Sequence, residues 1–200
     1  MPYRPTERTR ARLAAARERI VDAALTQLAE GGYASASVVS VARRAGVATG
    51  SVYRHFPSKG DLFAEVFRRA AQREVDVLIS MTDRREHVTH RLAAWVEAFV
   101  RRALAEPVRA YALIAEPVDP AVEVERLTFR RAYADLFAAA LRDSRALDVD
   151  LAATAIVGAL AEALVGPLAR RDTGADALVA GLQTFVLSAV RSHADAPAHP

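Results

Sequence analysis

The sequence contains no cysteine, which excludes disulfide bridges and thiolate metal sites and fits a reducing compartment. Lysine occurs once, as Lys59, whereas arginine is abundant. That bias looks genomic, so a single arginine carries little weight as a functional signal. No uninterrupted apolar run reaches the ~18 residues of a membrane span. The N-terminus, MPYRPTERTRAR, is basic and without an apolar core, so no secretory signal is expected there. Together these lead to the expectation of a cytoplasmic protein. No strand of any length and no internal repeat can be read. Neither a glycine-rich phosphate loop nor a nucleophile elbow is present. Glu86, His87 and His90 have a metal-like spacing but lack paired ligands elsewhere, and read as the start of a solvated helix. The expectation is therefore no catalytic set, no metal and no cofactor.

What the chain does have is apolar residues at helical spacing. Hydrophobic residues make up 52% of 200 positions, enough for a core in one large domain or two small ones. The pattern predicts an all-α fold of about nine helices, at about 10–30, 37–45, 49–56, 58–80, 87–105, 107–115, 121–146, 149–170 and 174–192. Gly31 and Gly32 stop the first helix, and Ser37 caps the second. Gly46 breaks the second, and Pro57 ends the third. Ser58 with Asp61 resembles a capping box for the fourth. Pro167 is expected to kink or end the eighth. The tail from 194 to 200 is small and polar and is expected to fray.

Charge is unevenly placed. Residues 1–60 hold ten basic and four acidic side chains, a balance of 10 − 4 = +6, while the whole chain is +3. A basic third on a mildly acidic remainder suggests a polyanion partner for that part alone. A solvated charged surface would look the same.

Residues 37–59, ending in GSVYRHFPSK, decide between the two. Two short helices flank the turn Ala45-Gly46-Val47, and glycine there permits a positive φ. Val41, Ala42 and Val47 face a small core against the first helix. The third helix offers Thr49, Gly50, Ser51, Tyr53, Arg54 and His55, a slim hydrogen-bonding surface suited to a major groove. Tyr53, His55 and Lys59 are donors for phosphate oxygens, and Lys59 sits at a helix N-terminus. Tyr53 packed on the first helix, His55 as a surface histidine, and Arg43 and Arg44 as a solvated face are the alternatives.

The ordered pattern GGY at 31–33, Ser37, ARRAGV at 42–47, GSVYRHF at 50–56 and SK at 58–59 resembles the N-terminal domain of TetR-type transcriptional regulators. The resemblance covers residues 16–65. Ahead of it, residues 1–15 read as a basic arm, either a disordered segment in which Arg4, Arg8, Arg10 and Arg12 add non-specific affinity for DNA or a solvated charged stretch. The resemblance implies a C-terminal ligand-binding and dimerisation domain at 66–193. Ser37 would bond a phosphate, Thr49, Gly50 and Ser51 would face bases, and Tyr53, His55 and Lys59 would grip the backbone. Arg54 would reach a base or a phosphate. Three departures stand out. Val39 replaces a polar base reader. Ala48 replaces the usual cap of the recognition helix, which leaves Thr49 to cap or to read DNA. Gly60 replaces a common acid.

The last two helices are too apolar all round for a monomer's surface, which suggests a four-helix interface between subunits, with an ordinary core as the alternative. Trp95 with Phe99, and Phe129 with Tyr133 and Phe137, form stripes that fit either a core or a ligand pocket, and Tyr111 lies between them in sequence. Glu162 and Glu116 are acids that a cationic ligand could meet. The expected function is a sequence-specific regulator, commonly a repressor, released from operator DNA by a small molecule. A non-specific DNA-packaging protein and an enzyme using the C-terminal cavity are the rival classes.

Overall fold

Thr6 accepts a hydrogen bond from the Thr9 amide and opens the first helix, α1 (Glu7–Ser35). The structure is a computed structural model that describes residues 6–81, 87–142, 148–172 and 174–191. Nine α-helices and no strand occur among them. After α1 come α2 (Val38–Ala45), α3 (Thr49–His55), α4 (Lys59–Ser80), α5 (Val88–Ala105), α6 (Pro107–Ile114), α7 (Pro120–Leu141), α8 (Val149–Arg170) and α9 (Asp176–Arg191).

The all-α expectation holds, and the elements begin close to their capping residues. Ser37 accepts from the Ser40 amide, Ser58 from Asp61 and Asp148 from Leu151. His87 accepts from Thr89 and so caps α5, while Glu86 lies outside the described residues. Two boundaries differ from the reading of the sequence, both in α1. α1 starts at Glu7, so Arg8, Arg10 and Arg12 ride on a helix rather than a loose arm; Arg4 lies outside the described residues. α1 also resumes after Gly32, whose φ of 76° and ψ of −175° break it before Ser35. α8 runs to Arg170, where the spacing placed its end, and closes at Arg171 in the left-handed region, so Pro167 lies inside the helix without ending it. A proline this near the end removes one helical hydrogen bond where few remain. Positions 143–146, the predicted end of the seventh helix, and the tail at 194–200 lie outside the described residues.

Two cores form. Ile20, Val21, Leu28, Val41, Val52, Phe63 and Phe67 anchor the first, all but unexposed. Leu92, Trp95, Val100, Phe137, Ile156, Leu160 and Leu164 anchor the second. Each such aliphatic or aromatic side chain contributes about 1.5–3 kcal/mol on burial. α4 is continuous through both, with Ala70 in the first and Val75 in the second. The expected boundary at 65/66 thus falls inside a helix. Ala112, Leu113 and Val122 of α6 and α7 are buried in the first core, so the body reaches into the head.

α8 passes a looser test of hydropathy than a count of consecutive apolar residues. An 18-residue window has mean hydropathy 1.8, long and apolar enough to cross a membrane by length and composition. Glu162 interrupts the run, which hides it from a count of consecutive apolar residues. Its inner face, Ala153, Ile156, Leu160, Leu164 and Leu168, is buried in the second core.

Candidate nucleic-acid interface and effector cleft

The turn between α2 and α3 follows from Gly46. Its φ of 66° and ψ of 37° lie in the left-handed region, and the Val47 amide reaches back to the Ala42 carbonyl at 3.0 Å. A side chain there would be strained, whereas glycine is not. Val41 and Ala42 are buried and Val47 is partly so, as the spacing predicts. Gln27 Nε2 donates to Ser40 Oγ at 2.7 Å and ties α2 to α1.

α3 buries only Val52. Gly50, Tyr53 and Arg54 are exposed, and Thr49, Ser51 and His55 are half-exposed. Tyr53 is 48% exposed and is not among the buried residues of either core. Ala48 occupies the N-cap and supplies no side-chain bond, and Thr49 is already inside the helix. The rivalry for the Thr49 hydroxyl is thereby removed, since it is not the cap. A Cβ added at Gly50 meets nothing within 4 Å. Among the described residues, packing places no demand for glycine at this position. Ser37 is exposed and its oxygen caps α2. Val39 points outward at 66% exposure, apolar where a polar reader was absent by sequence.

Lys59 is more constrained than a free cation. Its ammonium donates to the Tyr33 carbonyl at 3.0 Å and lies 4.1 Å from the centroid of the Tyr33 ring. An ammonium has three donors, so two remain. Arg44 is held by Glu30 through both amines, at 2.9 and 2.5 Å, whereas Arg43 is exposed. Below this surface Glu65 receives Arg17, Arg68 and Arg69. Burial pushes its carboxyl pKa up, but the hydrogen bonds from Arg68, Arg69 and Arg17 outweigh that and hold it at about 2.

In the body, the aromatic stripes separate. Phe99, Phe129 and Tyr133 meet edge to face, with centroids 5.4 Å and 4.6 Å apart. Phe99 and Phe129, with Leu113 and Ile114, line two adjoining narrow clefts of about 30 and 20 Å³, and Tyr133 lines the smaller one. Trp95 instead packs on Phe137 and is buried, its Nε1 without a hydrogen-bond partner among the described residues. Tyr111 packs on the second core and lines neither cleft. Glu162 is exposed on α8 and also lines neither, because it sits on the face turned from that core.

Sequence reasoning missed the cations of the cleft. Arg102 and Arg109 reach in and share Glu74, at 2.8 Å and 3.1 Å. Arg130 Nη2 donates to the Ile114 carbonyl at 3.2 Å beside Phe129. Burial first, and then Glu74, push the Tyr133 hydroxyl pKa up, so it stays protonated. In an arginine-rich chain no local signal distinguishes these three. Glu116 does not face the cleft: its carboxylate accepts the Tyr33 and Ala34 amides, at 2.7 and 2.9 Å.

Residues 20–66 match the family of bacterial regulatory proteins, tetR family. The chain is similar to the HTH-type transcriptional repressor KstR of Rhodococcus jostii strain RHA1, 44% identical over 57 residues, 28% of this chain and 27% of that one. It spans about a quarter of the length of the curated relatives it matches. Over most of its length it shares a fold with two fatty-acid regulators. The fatty acid degradation regulator FadR of Bacillus halodurans aligns with TM-score 0.70 and 24% identity, covering 85% of this chain and 97% of that one. The transcriptional regulator FadR of Bacillus subtilis, solved in complex with stearoyl-CoA, aligns with TM-score 0.73 and 20% identity, covering 86% and 98%.

Proposed function

We propose that this chain, a TetR-type regulator in its DNA-binding segment at residues 20–66 and in its fold, is a homodimeric repressor that leaves a palindromic operator when a small molecule binds its body. The observation that carries this is α3, a helix with one buried residue and an outer face of small hydrogen-bonding groups. Two such helices enter successive major grooves roughly 34–36 Å apart. Thr49, Gly50 and Ser51 face bases, and Ser37, Tyr53, His55 and Lys59 face phosphates, with Arg54 serving either.

α8 and α9 supply the dimer. Their outer faces carry Ala155, Gly158, Gly181, Thr184 and Phe185, small groups with one 49%-exposed aromatic. Paired across a twofold axis they form a four-helix interface. A protein of this kind works where DNA is, in the cytoplasm.

The effector we infer has a long apolar chain and an anionic head. Phe99, Phe129, Leu113 and Ile114 suit the chain, and Arg102, Arg109 and Arg130 suit the head. A relative of the same fold holds stearoyl-CoA. Drug-sized ligands fill about 300–1,000 Å³, far beyond these clefts, so entry must move side chains. Leu113 belongs to both the cleft and the head's core. A ligand that displaces it binds the two head arrangements unequally, which is the condition for shifting operator occupancy.

Selection of bound duplexes from a random pool tests the reading, with the mass of the complex measured alongside. A palindrome bound by a dimer is expected, and uniform binding without a preferred sequence would overturn it. Ser51→Ala should change the selected sequence, whereas Lys59→Ala should weaken all duplexes alike. Stearoyl-CoA should lower operator affinity, and stearate without the coenzyme separates chain from head.

A further inference from the structure

Tyr33 is engaged through its backbone, its hydroxyl and its ring. Its amide donates to Glu116 Oε2, its hydroxyl donates to Asp119, and its carbonyl and ring hold Lys59. Ala34 gives its amide to the other Glu116 oxygen, at 2.9 Å. One carboxylate thus satisfies two donors where α1 breaks at Gly32. The fit is close, since a Cβ at Gly32 would lie 2.8 Å from Glu116 Oε2. Glu116 is itself mounted rigidly. Buried Arg126 donates to the Glu116 carbonyl at 2.6 Å and to the Ala112 and Leu113 carbonyls, both at 3.1 Å.

We propose that Glu116 is a positioning residue for DNA binding: from the corner between α6 and α7 it fixes Tyr33, and Tyr33 aims the Lys59 ammonium at a phosphate. The inference rests on the reading of this chain as a DNA-binding protein. With one Lys59 donor on the Tyr33 carbonyl and the Tyr33 ring 4.1 Å away, the ammonium is held in place before DNA arrives. Preorganisation of that kind lowers the ordering cost of a contact. Coulomb forces alone predict the opposite sign for Glu116, because removing an acid from a basic surface favours a polyanion. The corner that holds Glu116 also carries Leu113 and Ile114 of the cleft, so the same contact is placed to report on what fills the body.

The test measures affinity of the full chain for its selected duplex and for an unrelated one, over a range of salt. Glu116→Ala, isosteric Glu116→Gln, Lys59→Ala and the Glu116→Ala/Lys59→Ala double variant are compared, with helicity and unfolding followed for each. Glu116→Ala is expected to weaken both duplexes about tenfold, and Glu116→Gln less. The slope of log affinity against log salt should become shallower by about 0.9, the share of one phosphate contact. The double variant should bind no worse than Lys59→Ala alone. Full additivity in the double variant, an unchanged salt slope, or unchanged or tighter binding by folded Glu116→Ala would each overturn the proposal. If the wild-type chain binds neither duplex, the DNA-binding reading falls first, and the role of Glu116 with it.

Discussion

Two glycines show how a residue's role is separated from its conservatism of size. Gly32 sits at φ 76° with the Glu116 carboxylate against its missing side chain. Gly32→Ala is expected to cost about 1–3 kcal/mol, read as a lower urea midpoint. Gly50 is the reverse case, with nothing within 4 Å of an added Cβ. Gly50→Ala should leave stability unchanged or raise it by up to ~1 kcal/mol while DNA affinity falls. A matched loss of both would mean that the glycine serves the fold. The sequence marked both positions as glycines of interest, but only for helix ending and slimness. The reason differs at each because the neighbours differ: a carboxylate 84 positions further along the chain meets Gly32, and empty space meets Gly50.

At the scale of elements, α1 and α4 are joined by charge as well as by core packing. Glu65 on α4 receives Arg17 from α1, and Arg69 reaches Glu18 of α1. The Glu65 carboxyl lies at about 2 in the fold against an ordinary 4.5. A carboxyl lowered on folding contributes stability that is present above pH 4.5 and is lost as pH falls towards 2. The whole shift corresponds to on the order of 3 kcal/mol. Wild type and Glu65→Gln should therefore differ most in unfolding free energy above pH 4.5 and converge near pH 2. A difference constant over that window would remove the network from the account. Helix positions were legible from caps and periodicity, and α2 and α3 were placed almost to the residue. The far end of α1 was not, because Gly31-Gly32 reads as a stop, whereas the resumed turn is held by Glu116 from another element.

At the scale of the whole molecule, the head and body are not separate units joined by a linker. α4 threads both cores, and α6 places Ala112 and Leu113 in the first. Unfolding is expected to be a single transition, and two resolved transitions in calorimetry would contradict the shared core. The proposed twofold interface adds a concentration dependence. Phe185→Glu at the outer face of α9 should shift sedimentation towards monomer and weaken operator binding at least tenfold, with helicity retained. A variant that remains dimeric would move the interface elsewhere.

The sequence by itself determined the all-helical class, the caps at Ser37 and Ser58, the left-handed turn at Gly46 and the exposed face of α3. These depend on spacings within a few residues, where propensity and periodicity act. Only the tertiary structure decided that Lys59 rests on Tyr33, that Glu116 clamps the turn at Gly32, and that Leu113 serves cleft and head together. It also turned Glu162 outward and gathered Arg102, Arg109 and Arg130 around the clefts. Each of these joins positions far apart in the chain, and which distant groups meet is set by how helices pack rather than by any local pattern.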